Sequence, residues 1–271
     1  MTQLPVILHQ KPFTIYNQDQ HLYPIVVSMP HSGTWHTQRM KDQLIQDVIL
    51  PNNDWYIPQV YHFLKEMKIT VIENHMSRYV IDPNRSLQDC LNDSYKTNLI
   101  YTHTTLDDPM YLHPLSQDEI EQRINLYYQP YHQAIKEALN EKKKYFDHVY
   151  LIDLHSFGAD LGCDIILGNR RQTTMNKTLF DFIHQELEKQ GLKVVDNEPF
   201  QGGYITQSHA SQSVETLQIE MRYKSYIADR YFGKEEFPDI DQELMQQTSL
   251  KLQRFFNSFI HLFSPYLVKF I

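Results

Sequence analysis

Cysteine is nearly missing from this chain. Only Cys90 and Cys163 occur in 271 residues, and they lie far apart in sequence. A disulfide framework is therefore not expected, and the pattern suits a reducing, cytoplasmic setting. Cys163 opens an apolar run and reads as a small core residue. Long hydrophobic runs are also missing. None approaches the roughly 20 residues that a membrane span needs. Residues 1–20 are polar, without the basic start and apolar core of a signal peptide, so no membrane partner is expected. Basic charge is short as well. With 25 Lys+Arg against 33 Asp+Glu, the net charge is −8, and no nucleic-acid partner is expected from such a balance. Glycine is scarce, at 8 residues. No repeat, low-complexity tract or Gly/Pro/Ser-rich linker interrupts the chain, so residues 1–271 read as a single domain. Several catalytic signatures are absent too: GxSxG, GxGxxG, GxxxxGK and HExxH do not occur. Ser32 and Ser156 consequently lack a nucleophile's setting.

Histidine, by contrast, is abundant, with 14 residues. Two of them sit in similar places. The first ends the run Ile25-Val26-Val27-Ser28-Met29-Pro30-His31-Ser32-Gly33. The second ends Val149-Tyr150-Leu151-Ile152-Asp153-Leu154-His155-Ser156-Phe157-Gly158. Each reads as a buried strand that stops at a histidine and then turns at a glycine. Further strand-like runs fall at 68–73, 163–168, 192–196 and 215–221. Helical periodicity falls between them, at 54–66, 116–144, 176–190 and 241–262. Ser116 and Glu119 form a candidate capping box, Pro130 predicts a kink, and Gly191 is a helix stop. Strands alternating with helices predict an α/β fold, with a largely parallel sheet covered on both faces. The polar stretch 86–115 has no period and reads as a long loop of the kind that forms lids.

In an open α/β sheet, sites form outside the carboxyl ends of the strands. Two strands would deliver His31 and His155 to that edge, where a hydrolytic zinc site needs three protein ligands and an open position. Asp54, in Pro51-Asn52-Asn53-Asp54-Trp55, is the candidate third ligand; as a helix N-cap it would have a purely structural role. His36 and Asp153 are weaker alternatives. Asp153 is read as pointing to the other face of the strand, fit at best to support a ligand. Glu220 lies near the end of the run Glu215–Arg222, placed to act as general base on a metal-activated water. An ion pair with Arg222 is its structural alternative. Arg78 and Arg85, in Met76-Ser77-Arg78-Tyr79-Val80-Ile81-Asp82-Pro83-Asn84-Arg85, offer guanidinium forks for a substrate carboxylate, or else structural ion pairs. Gly202-Gly203 marks a turn where backbone can approach a ligand.

Six segments, in order, carry a resemblance to the N-formylglutamate amidohydrolase family. They are Pro30-His31-Ser32-Gly33, Arg78 to Arg85, Tyr128-Gln129-Pro130-Tyr131-His132, Asp153-Leu154-His155-Ser156, Pro199-Phe200-Gln201-Gly202-Gly203 and Leu217-Gln218-Ile219-Glu220-Met221. The resemblance implies a three-layer α/β/α fold with a mostly parallel central sheet, like that of zinc carboxypeptidases. It implies hydrolysis of N-formyl-L-glutamate to glutamate and formate, a late step of histidine breakdown. His31, Asp54 and His155 are then similar to metal ligands, for Zn2+ or another divalent ion. Glu220 is similar to the catalytic glutamate, and Asn84-Arg85 resembles the pair that holds a substrate carboxylate. Arg222, or a histidine such as His132 or His209, is expected at the oxyanion. A deacylase of another N-acyl amino acid, or a non-catalytic metal-binding protein of the same fold, would keep the same residues.

Overall fold

In a computed structural model, residues 11–91, 97–228 and 237–263 are described. Their frame is one seven-stranded sheet: β1 (Phe13–Tyr16), β2 (Ile25–Met29), β3 (Thr70–Asn74), β4 (Val149–Phe157), β5 (Ile165–Gly168), β6 (Val194–Asp196) and β7 (Val214–Arg222). The spatial order is β1-β3-β2-β4-β7-β5-β6. Four of the six pairings are parallel; β1 with β3 and β5 with β7 are antiparallel. The mostly parallel sheet expected from the alternating pattern is therefore present. The edge strand β1 escaped the sequence reading because it is half-buried along its length and carries no strong apolar run.

Helices cover both faces. They are α1 (Gln38–Gln43), α2 (Ile57–Val60), α3 (Phe63–Glu66), α4 (Gln117–Arg123), α5 (Gln129–Lys143), α6 (Lys177–Lys189), α7 (Tyr204–Ser208) and α8 (Gln242–His261). Val60, Leu64, Ile183, Leu252 and Phe256 pack with Val27, Ile152, Leu154 and Ile219 on one face. Tyr131, Ile135 and Leu139 of α5 pack with Val26, Ile72 and Leu151 on the other. Adjacent residues of one strand thus feed opposite layers, which is why the central strands read as continuous apolar runs. Four helices start on side-chain caps: Thr37, Ser116, Asn176 and Asp241 each accept a backbone N–H three residues on. Gly191, at φ +75°, follows α6 as the left-handed stop that glycine permits.

Several expectations are corrected. Residues 54–66 form two single turns: Tyr56, left-handed at φ 59°, precedes α2, and Tyr61, non-helical at φ −99° and ψ 21°, separates α2 from α3. The irregularity expected at Pro130 is a π-helical turn over Ile124–Tyr128, immediately ahead of it. Strand β4 does not stop at His155 but continues to Phe157. The described residues of 86–115 have an inner side: Leu99, Ile100, Tyr101 and Met110 are buried. Cys163 is buried, while the side chain of Cys90 lies outside the described residues. No helix among the described residues is long and apolar enough to cross a membrane.

Because β5 runs antiparallel to β7, the connection between β4 and β5 leaves and re-enters the sheet at the same edge. Its far end is pinned where Arg222 N donates to Asp164 O at 2.9 Å and Asp164 N to Lys193 O at 2.8 Å. That edge holds the carboxyl ends of β2, β4 and β7, and a cavity opens there.

Candidate active site

Two strands and a loop bring three donors together. His31 lies two residues past β2. His155 lies near the end of β4, which pairs with β2 in parallel. Asp54 sits in the loop before α2, held by its own N–H donating to His31 O at 3.1 Å. Asp54 therefore is not the cap of a helix. The Nδ1 atoms of His31 and His155 are 3.2 Å apart. Asp54 Oδ2 lies 3.1 Å from His155 Nδ1 and 3.7 Å from His31 Nδ1. One ligand atom from each residue lies within 4.8 Å of the others, and all three residues are buried.

The far nitrogens fix the tautomers. Asp82 Oδ1 is 2.6 Å from His31 Nε2, and Asp153 Oδ2 is 2.8 Å from His155 Nε2. Each carboxylate keeps a proton on Nε2 and aims the Nδ1 lone pair at the common centre, the support that metal-bound histidines commonly have. Asp153 was expected on the other face of β4. Residues two apart on a strand share a face, so it lies directly beneath His155. His36 is not part of the cluster.

Between the converging atoms the chain provides too little positive charge. Asp54 Oδ2 is buried and no hydrogen bond closes on it. Burial lowers the His155 pKa, but Asp153, Asp54 and Glu220 outweigh burial and raise it well above the ordinary value. The site thus calls for a cation, and a proton on Nδ1 is the substitute available to the chain alone. Two imidazoles and a carboxylate around an open position suit a divalent metal such as zinc, so the residues fit one.

Glu220 stands opposite His155 in the parallel β4–β7 register, so both side chains project from the same face of the sheet. Its Oε1 accepts from Gln218 Nε2 at 2.8 Å, and Gln218 Oε1 accepts from Gly203 N at 2.7 Å. Burial, opposed by His155 and reinforced by Asp54, raises the Glu220 pKa to about 7. A carboxylate poised near neutrality is what proton transfer at physiological pH requires. The ion pair once envisaged with Arg222 does not form; Arg222 instead reaches Asp160 at 2.9 Å.

These groups open onto a cavity of about 900 Å³. Arg78, Arg85 and Arg222 all line it, with different commitments. Arg78 donates to Asp82 Oδ2 at 3.1 Å and to Tyr101 Oη at 2.9 Å, so its Nη2 is engaged in an ion pair. The Nε atoms of all three, Arg78, Arg85 and Arg222, are buried without a hydrogen bond. Arg85, 3.8 Å from Asp82 and about a third exposed, is the guanidinium most open to a ligand. Asn84 Oδ1 accepts from Ile205 N at 2.9 Å, and its Nδ2 lies 3.3 Å from His155 Nε2. A Cβ on Gly203 would come within 2.3 Å of that amide, so the glycine turn accommodates Asn84 rather than a ligand. His132 and His209 do not line this cavity: they stack on each other in a second one, which removes them as oxyanion donors.

Asp82 and Gln218 were missed as supporting residues. Asp82 is the centre of the site: burial raises its carboxyl, but His31, Arg78 and Arg85 outweigh burial and hold it well below the usual range. The Asp-Pro-Asn turn, after the apolar Tyr79-Val80-Ile81, was the signal available for it.

An α/β sheet carrying a cation-seeking cluster and a near-neutral carboxylate at its carboxyl edge has the make-up of a hydrolase. The family model for N-formylglutamate amidohydrolase matches residues 23–227, and the chain belongs to that family. It is 29% identical over 221 residues to an N-formylglutamate deformylase of Pseudomonas aeruginosa, covering 76% of this chain and 83% of the relative. It is 26% identical over 220 residues to the N-formylglutamate deformylase of Pseudomonas putida, covering 76% and 82%. Its fold is similar to the crystal structure of N-formylglutamate amidohydrolase from Ralstonia eutropha JMP134. That match has a TM-score of 0.76 and 25% identity, over 96% of this chain and 99% of the other.

Proposed function

We propose that this protein hydrolyses the formyl amide of N-formyl-L-glutamate to glutamate and formate, a late step of histidine breakdown. His31, Asp54 and His155 would hold a divalent cation, with zinc favoured. The observation that carries this reading is the convergence of both Nδ1 atoms on Asp54, with Glu220 in register beside His155. When bound, the cation supplies Lewis acidity toward the formyl oxygen and water. Glu220 takes the proton of the attacking water and delivers it to the leaving nitrogen as the C–N bond breaks. Gln218 holds Glu220 Oε1 and so fixes the direction of that transfer. Arg85 binds a substrate carboxylate, which orients the amide before reaction and removes much of the entropy cost of alignment. Arg222 can take a second anionic group by exchanging its contact with Asp160, which is exposed at the rim.

The test is formate release from N-formyl-L-glutamate by the purified protein. It is measured as prepared, after chelation, and after zinc is restored. Activity lost to the chelator and regained with zinc supports the reaction and the metal together. Metal-loaded protein that releases formate from other N-formyl amino acids but not from this one would replace the substrate. Protein inert toward all of them would remove the catalytic reading.

A further inference from the structure

The segment Asp82–Arg85 serves both histidines at once. Asp82 Oδ1 holds His31 Nε2 and also accepts Asn84 N at 2.8 Å. The Asn84 amide packs against His155, its Nδ2 3.3 Å from Nε2, a contact and not a hydrogen bond while Nε2 gives its proton to Asp153, and Arg85 faces the cavity. A small displacement of this turn would therefore disturb both metal-facing imidazoles and the candidate carboxylate-binding arginine together. Within the turn Arg85 N donates to Asp82 O at 3.2 Å, and other segments also hold it: Asp82 N donates to Leu99 O at 2.9 Å, Ile205 N to Asn84 Oδ1 at 2.9 Å and Tyr204 N to Asn84 O at 3.4 Å. Two carbonyls point away from the site, those of Pro83 and Arg85.

Both carbonyls are met by side chains from one helix. His132 Nε2 is 2.9 Å from Pro83 O, and Tyr128 Oη donates to Arg85 O at 2.7 Å. Tyr128 and His132 are four residues apart, so they stand one above the other on the same helix face. Their direction depends on the π-helical turn at Ile124–Tyr128, where Gln129 N bonds back to Ile124 O. One extra residue in a turn rotates everything after it by roughly a quarter to a third of a turn. Tyr131 and Ile135 can then face the sheet while Tyr128 and His132 face the turn. The ring of His132 is itself held: its Nδ1 lies 3.0 Å from His209 Nε2. Burial lowers the pKa of His132 to about 4, so the ring is neutral and presents a single N–H to Pro83.

We propose that Tyr128 and His132 are positioning residues for the site: by clamping the carbonyls of Arg85 and Pro83 they hold Asp82 against His31, Asn84 against His155, and Arg85 toward substrate. Neither touches the cavity that holds the reacting groups, so neither is a catalytic residue. The proposal rests on the metal-dependent hydrolysis put forward above, and zinc binding tests it separately from turnover. Residues that orient metal ligands from behind typically change metal affinity or activity by roughly 10–100-fold when removed.

The experiment titrates zinc into metal-free wild-type protein and into Tyr128→Phe, His132→Leu and His132→Gln. Formate kinetics are then measured on each loaded protein. Tyr128→Phe deletes one oxygen and leaves the packing in place. His132→Gln keeps an N–H donor where His132→Leu does not. The expected result is zinc binding weakened roughly 10–100-fold in Tyr128→Phe and His132→Leu, with most of the loss regained in His132→Gln. The kinetics should show kcat falling and KM rising in the same order, since metal support and carboxylate capture depend on one turn. Zinc affinity within twofold of wild type in both deletion variants would overturn the proposal. So would His132→Gln being no better than His132→Leu, which would make the role one of packing. Wild-type protein that binds zinc but releases no formate would overturn the substrate reading alone, and the zinc titrations would still decide the clamp.

Discussion

Replacing Asp54 by Asn isolates the claim that the cluster is built for a cation. The two side chains are nearly isosteric, so the loop that holds residue 54 through His31 O should remain. The change removes one negative ligand from a centre where Nδ1 of His155 lies 3.1 Å away and Nδ1 of His31 3.7 Å away. At zinc equal to about 100 times its dissociation constant, binding to the native state alone stabilises wild-type protein by about 2.7 kcal/mol. A chain of this size shifts its melting temperature by roughly 2–4 °C per kcal/mol, so zinc should raise wild-type Tm by roughly 5–10 °C. If the Asn variant binds about 100-fold more weakly, the same zinc concentration stabilises it by only about 0.4 kcal/mol, or roughly 1 °C. The assay is a thermal melt of each metal-free protein with and without zinc. Comparing each protein with itself cancels any change in its metal-free stability. A full wild-type zinc shift in Asp54→Asn would refute the assignment of Asp54 as a ligand.

The other predictions concern protons. Glu220→Gln should lower kcat by about 10²–10⁴-fold while keeping the zinc-dependent thermal shift; unchanged turnover would remove Glu220 as the base. Because the base works deprotonated, kcat/KM should rise with pH along an acid limb. Glu220 has a pKa of about 7 in the metal-free protein, and a bound cation adds positive charge, so the limb should lie at or below pH 7. It should vanish in the Gln variant, and a profile flat from pH 4 to 8 in the wild type contradicts this. Lys142 on α5 is buried, and burial lowers its pKa from 10.5 to about 8. The unfolded chain therefore holds that proton more tightly, so stability gains from this residue as pH climbs from about 8 toward 10.5. Lys142→Met should be more stable than wild type by about 1–3 kcal/mol at pH 7, with the gap closing near pH 10. Denaturant melts at both pH values measure this, and a gap independent of pH would contradict it.

Much of this arrangement was legible because its two histidines follow from strand geometry. His31 and His155 each come with an apolar run, and parallel strands send their carboxyl ends to one edge. Glu220 was legible for the same reason. What failed was orientation and partnership. Asp153 was assigned to the wrong face, although the two-residue period of a strand fixes it beneath His155. The three arginines look alike in sequence; only the fold shows Arg78 paired with Asp82 and Tyr101 and Arg222 with the exposed Asp160. Tyr101 lies in a stretch without periodicity, so nothing local announced that its hydroxyl donates to Asp82 at 2.7 Å. Histidines 132 and 209 are near the site along the motif order but are separated from it by the very turn that His132 supports. The edge strand β1 and the reversal of β5 depend on pairings between distant segments, which periodicity does not encode.

That reversal has a bearing on how such a site can diversify. The stretch from Gly158 to Cys163 hangs between two anchored strands, and Gly158, Ala159 and Asp160 border the cavity. Residues can be added or removed there without shifting the register that places His155 opposite Glu220, because that register is fixed along nine paired positions of β4 and β7. Change in this one short arch would redraw part of the cavity lining while the paired strands behind it stay in place.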